Sequence, residues 1–142
     1  MQIKEGFTFE SFTSEIAAVV GVGSVFSSLD NILKADSGEK LNLAHEEGKV
    51  FLIDFWATWC GPCQKPMRHN CELMEKYAEA WKDKVRIIAL SIDDTPDALM
   101  RFIQNRQMEK VEHFVAGESE CSEVYGVTGV PHVCLVDKKG KI

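Results

Sequence analysis

Two stretches of the sequence, residues 50–56 (VFLIDFW) and 85–92 (VRIIALSI), are almost unbroken in apolar side chains. A strand with one wet face alternates polar and apolar residues, so strands that read this way must be covered on both faces. Between them, from Gly61 to about Trp81, Met67, Cys71, Met74, Ala78 and Trp81 recur at three- and four-residue steps. That spacing predicts a helix buried along one stripe, with a kink at Pro66, whose ring removes a backbone hydrogen bond. Strand, helix and strand in this order form the repeating unit of a parallel sheet. Further on, Asp94, Thr95, Pro96 and Asp97 open a second helix, with Leu99, Phe102, Ile103 and Met108 on its inner side. A short helix over 120–125 and a strand over 132–137 follow, and residues 30–34 and 40–43 read as two short strands around a turn. The pattern predicts a mostly parallel sheet with helices on both faces and no internal repeat.

At 142 residues the chain is long enough for one domain with a real core. Its net charge of −6, with no basic cluster, argues against a nucleic-acid surface. The five cysteines are odd in number and too scattered for a disulfide scaffold, which fits one redox pair and three buried thiols in a reducing compartment. The apolar segment 16–23 is preceded by Glu5, Glu10 and Glu15 rather than by a basic region, and is too short to span a bilayer. It reads as part of a packed helix opening near residue 7 and ended by Gly21 and Gly23. A cytoplasmic monomer without a membrane span is the expectation; the alternative is an exported or anchored protein whose signal or anchor lies outside this sequence.

The chemistry is concentrated in Trp59-Cys60-Gly61-Pro62-Cys63, directly after the first apolar strand. Cysteines three apart at a strand-to-helix junction close a disulfide with little backbone movement. A thiol at the helix N-terminus sits among unpaired N–H groups at the positive end of the macrodipole, which favours the thiolate. The thiolate is the attacking species in thiol–disulfide exchange, and the neighbouring cysteine resolves the mixed disulfide. Half of a zinc site is the competing reading, but a second C-x-x-C or H-x₃₋₅-H is absent, and Cys71 lies roughly 12 Å along the helix from Cys63. Cys71, Cys121 and Cys134 read as small core residues. Asp54 is an acid inside an apolar strand, which demands an explanation; a proton-carrying role is favoured. Asp93, Asp94 and Asp97 read as acids stabilising the start of a helix, in preference to a metal cluster.

Two separated blocks, 54–63 (DFWATWCGPC) and 125–131 (YGVTGVP), about 70 residues apart, resemble the thioredoxin superfamily. The likeness covers roughly residues 30–142. The early hairpin and the ending 135–142 (LVDKKGKI) look more like the TlpA/ResA-like branch, near tryparedoxin and nucleoredoxin. The resemblance implies a three-layer α/β/α sandwich around a central mixed sheet, with an N-terminal helical extension over 1–29, a thioredoxin-like domain over 30–142, and the family's last strand and helix missing. The helix around residues 16–20 is a candidate substitute for them. It also implies that Cys60 is an exposed nucleophile, Cys63 the buried resolving thiol and Asp54 the acid behind it. Trp59 would shield the site, and Pro131 would be a cis-proline facing the disulfide. Trp59, Gly61, Pro62, Val130, Pro131 and His132 would then form the substrate-facing surface, the Val130 backbone bonding an extended chain. The lysine that thioredoxins place on the next strand aligns with Ala89, and His132 stands where threonine is common, either tuning the Cys60 thiolate or serving as an ordinary strand residue.

The implied activity is reduction or exchange of protein disulfides, with no cofactor or metal and with electrons from a reductase or small thiol. A thiol peroxidase would carry a P-x-x-x-T/S-x-x-C pattern, which does not precede Cys60. A non-enzymatic binding module on the same fold would have no need of both cysteines.

Overall fold

A computed structural model describes residues 25–26, 28–93, 95–117 and 119–142. In chain order the elements are β1 (Leu29–Lys34), β2 (Lys40–Leu43), β3 (Val50–Trp56), α1 (Gly61–Lys76), α2 (Ala78–Trp81), β4 (Val85–Ser91), α3 (Pro96–Asn105), β5 (Glu112–Val115), α4 (Cys121–Val124) and β6 (His132–Val136). They build one sheet in the order β2-β1-β5-β4-β3-β6. The two apolar runs lie side by side as parallel β3 and β4, in register from Val50 with Val85 to Trp56 with Ser91. β5 adds a second parallel pairing, whereas β6, β1 and β2 join antiparallel. The sheet is therefore mixed, and less parallel than strand–helix alternation suggests, because hairpins and returning strands leave no such periodic mark.

Each central strand splits its side chains between two cores. Phe51, Ile53 and Phe55 of β3 join Ile88 and Leu90 of β4 on one face, with Cys134 and Val136 of β6. Trp56, Ile87 and Ala89 face the other way, against Cys63, Met67 and Cys71 of α1 and Leu99 and Ile103 of α3. Phe51, Ile53, Phe55 and Trp56 are all fully buried, and each contributes about 1.5–3 kcal/mol through loss of apolar area to water. The helices are divided unevenly: α1 and α3 share one face, while Cys121 and Tyr125 around α4, with Phe26 and Ile142, cover the other.

Three local expectations need correction. The helix expected to reach Trp81 breaks at Tyr77, whose backbone leaves the helical region (φ −106°, ψ 18°) and whose ring stacks on Trp81 at 5.0 Å. Pro66 lies inside α1. Met108 is buried but lies beyond the end of α3 at Asn105. β5 has no counterpart in the apolar pattern. It is four residues long and begins Glu112-His113, and it is a strand because β1 and β4 both offer it backbone partners. Its polar start is satisfied from β4, where Arg86 donates to both oxygens of Glu112 at 2.7 and 2.5 Å.

The helix expected over residues 7–20, with its substitute role, lies outside the described residues. At their edge, Val25 bridges to Lys141, and the Phe26 N–H donates to the Gly140 carbonyl at 2.7 Å.

Candidate active site

The C-terminal end of β3 delivers the chain into a tight turn, in which the Cys60 N–H donates to the Ala57 carbonyl at 3.1 Å, and then into α1. Cys60 is the N-cap of that helix, with Pro62 in the first turn, where its missing N–H is no loss. No acidic residue occupies the first turn, so nothing on the helix offsets the positive end of the macrodipole beside Cys60. Cys60 and Cys63 are joined in a disulfide, with their Cα atoms 5.4 Å apart.

The Val130–Pro131 peptide bond is cis, and the Val130 carbonyl oxygen lies 3.7 Å from Cys60 Sγ. Segments 70 residues apart thus meet at the disulfide. This contact corrects the expectation of an open nucleophile: Cys60 is only 5% exposed and Cys63 1%. The strongly exposed group is Trp59, at 69%, so its ring stands in solvent beside the site. Gly61 and Pro62 are exposed next to it.

Asp54 projects from β3 toward α1 and is 1% exposed. The residues in register beside it are Ala89 on β4 and Val133 on β6, so neither flanking strand supplies a cation. Burial pushes its carboxyl from 3.8 up to about 7. Its one hydrogen bond comes from the Asn70 side chain on α1, Nδ2 to Oδ2 at 3.3 Å, and Oδ1 has no partner among the described residues. Asn70 is a residue sequence reasoning passed over. Its signal was spacing: it stands seven after Cys63 and three after Met67, on the buried stripe of α1 where a polar residue is out of place.

His132 pairs with Phe55 at the start of β6 and meets its ring edge-on at 5.7 Å. Its side chain lies on the sheet face opposite Asp54, and burial lowers its pKa. Cys71, Cys121 and Cys134 are free and buried; burial pushes the Cys134 thiol up to about 12. Among the described residues no group of three or more His, Cys, Asp or Glu side chains converges to hold a metal.

Asp93 has a different role from the helix-start one expected of it. α3 starts at Pro96, behind Thr95, and receives no side-chain cap. Asp93 instead accepts from the Thr58 N–H at 2.8 Å and the Thr58 hydroxyl at 2.6 Å, and Ser91 Oγ donates to it in turn. The carboxylate clamps the segment that carries Trp59 and Cys60 to the end of β4. Asp94 lies outside the described residues, and Asp97 is in the first turn of α3. Two charge-assisted bonds at a half-buried site predict that Asp93→Ala lowers unfolding free energy by about 2 kcal/mol in urea titrations of the oxidised protein.

The profile of the thioredoxin-like family matches residues 48–142. The chain belongs to that family. Within it, this thioredoxin-like protein sits with the ResA-type relatives. The thiol-disulfide oxidoreductase ResA of Bacillus thuringiensis subsp. konkukian is 34% identical over 140 residues, covering 96% of this chain and 76% of the relative. The ResA of Bacillus cereus is 37% identical over 105 residues, covering 74% of this chain and 58% of the relative. Among solved structures, a candidate thiol-disulfide oxidoreductase from Bacteroides vulgatus superposes with a TM-score of 0.73 at 26% identity, over 89% of this chain and 85% of that one. The thioredoxin-like assignment, the mixed sheet and the cis-proline agree with one another.

Proposed function

We propose that this chain is an enzyme that reduces or exchanges disulfides in other proteins through Cys60 and Cys63. The observation that carries this reading is the Cys60–Cys63 disulfide at a helix N-terminus, facing the carbonyl that precedes a cis-proline. In the reduced enzyme the Cys60 thiolate attacks one sulfur of the substrate disulfide. A Cys60–substrate disulfide forms, and the other substrate sulfur leaves as a thiolate that takes a proton. Cys63 gives its proton to Asp54 and attacks Cys60 Sγ, which closes the Cys60–Cys63 disulfide and releases the second substrate thiolate. Two electrons have passed to the substrate, and a dithiol reductase or small thiol must return them.

Trp59, Gly61, Pro62, Val130 and Pro131 form the surface that meets the substrate, and the Val130 carbonyl next to the disulfide supports strand-like pairing with an extended segment. His132 adjoins that surface with its side chain turned to Phe55. Neither a peroxidase nor a pure binding reading has an observation of its own in favour. Among the described residues no helix is long and apolar enough to cross a membrane; a reducing, cytoplasmic setting remains our proposal for the compartment.

A redox titration of Cys60–Cys63 against glutathione, read by thiol alkylation and mass spectrometry, tests both proposals. A potential below the cytosolic glutathione poise is the expected result and makes the dithiol a reductant. A potential in the range of oxidising compartments would make it an oxidant or isomerase and remove the cytoplasmic placement.

A further inference from the structure

We propose that Asn70 is a positioning residue for the proton step of disulfide exchange: its carboxamide holds one oxygen of Asp54 and leaves the other to exchange a proton with Cys63. The inference rests on the reading of Asp54 as the proton carrier and adds the residue that orients it. Asn70 is 6% exposed and Asp54 1%, so both polar groups have been taken out of water, which is costly unless they satisfy each other. They do so once, through Nδ2–H to Oδ2 at 3.3 Å, while Oδ1 finds no partner among the described residues.

The direction of approach matters. Cys63 and Asn70 lie on the same stripe of α1, seven residues apart, which is about 10 Å along the axis. The amide therefore reaches the carboxyl from two turns beyond the disulfide rather than from beside it. Because an amide NH₂ only donates, Oδ2 is engaged as an acceptor, and the transferable proton belongs on Oδ1.

The chemical identity of the partner matters as much. Ala89 and Val133 flank Asp54 on β4 and β6, Leu52 and Trp56 share its strand face, and the buried residues of α3 on that face are the apolar Leu99 and Ile103. On α1 the titratable neighbours along the chain are Cys63, His69 and Cys71, and His69 Nδ1 lies 4.0 Å from Glu72 Oε2. On β5 His113 stands in register with Ala89, its pKa lowered by burial and its Nε2 on the Met108 carbonyl at 2.6 Å. No lysine or arginine faces the carboxyl from these elements. A cation there would hold Asp54 ionised throughout the neutral range, and loss of the donor would shift it toward the protonated form; a neutral donor leaves it able to do both. Burial alone already brings the carboxyl to about 7, where a small bias from one hydrogen bond decides which form predominates.

Two measurements on the reduced protein test this. Carboxyl carbon NMR follows the protonation of Asp54 directly, with Asp54→Asn as the blank that identifies its signal. The pH profile of Cys63 attack on a preformed Cys60 mixed disulfide follows the step itself. Asn70→Leu is expected to move both inflections upward by about one pH unit, the loss of one hydrogen bond to a charged acceptor. Asn70→Gln, which keeps the donor, should return them toward the wild-type position, and Asn70→Lys should drive them well below it. Asn70→Ala, which removes the donor without adding bulk, gives the same readout if Asn70→Leu does not fold. An Asp54 inflection that stays in place in Asn70→Leu overturns the proposal and leaves the proton role of Asp54 standing. A mixed-disulfide profile unchanged in Asp54→Asn removes that role, and the positioning proposal goes with it.

Discussion

Asp54→Asn is expected to stabilise the oxidised protein at pH 8 by about 2–4 kcal/mol, and to add little at pH 4. Well below pH 4 the carboxyl is protonated in the folded and unfolded chains alike. As pH rises past 3.8 the unfolded chain gives up this proton, while the folded chain keeps it until about 7. Over that window the folded state binds more protons, so stability falls as pH rises, by about 4 kcal/mol if the whole difference is realised. Above about 7 both states are ionised and the penalty is fully present. The amide of asparagine does not ionise, so the variant escapes it. Urea unfolding of both proteins at pH 4, 6 and 8 reads the effect directly. A stability difference that is flat across the three would mean that Asp54 is already ionised at low pH in the folded protein. The same substitution should slow Cys63 attack near neutral pH by about a hundredfold, the ordinary contribution of one positioned acid–base group. Activity and stability then move in opposite directions, as expected where a costly buried acid is retained for its chemistry.

Cys63→Ser is expected to abolish turnover and to leave the enzyme covalently attached to its substrate. Cys60 keeps its place at the N-cap of α1, with no acid in the first turn, so attack on a disulfide proceeds. The serine hydroxyl cannot replace the resolving thiol, so the mixed disulfide persists. Non-reducing electrophoresis of the variant with a model disulfide protein should show an adduct of the summed mass that collapses on adding dithiothreitol. Cys60→Ser should give neither turnover nor adduct, since Cys60 is the thiol at the N-cap beside the Val130 carbonyl, whereas Cys63 lies inside the first turn packed into the core at 1% exposure. An adduct in Cys60→Ser would reverse the assignment of the two thiols. Adducts recovered from cells with Cys63→Ser would also name the physiological substrates.

Much of the fold is legible along the chain. The runs over 50–56 and 85–92 announce central strands because covering on both faces permits few polar residues, and Asp54 stands out within the first for the same reason. The stripe Met67, Cys71, Met74 marks the buried side of α1, and the Cys-Gly-Pro-Cys segment between strand and helix identifies its own chemistry. β5 was not legible, because a four-residue strand opening Glu112-His113 is defined by the neighbours that bond it. Nor was the break at Tyr77, where the backbone leaves the helical region although the ring still meets Trp81 at the i,i+4 spacing.

By itself the sequence determined the class of fold, the reactive pair and the buried acid, since each depends on local order: apolar runs, residue spacing, and a cysteine placed where a helix begins. Only the tertiary structure decided what those groups meet. It brought Val130 to 3.7 Å from Cys60, turned the side chain of His132 to the face away from Asp54, assigned Asp93 to the Thr58 turn instead of a helix start, and supplied Asn70 where no cation stands beside Asp54. These pairings join residues from 16 to 77 positions apart or set a side chain on one face of a sheet rather than the other. Periodicity assigns residues to faces of single elements; the partners across the gap follow from how strands and helices pack.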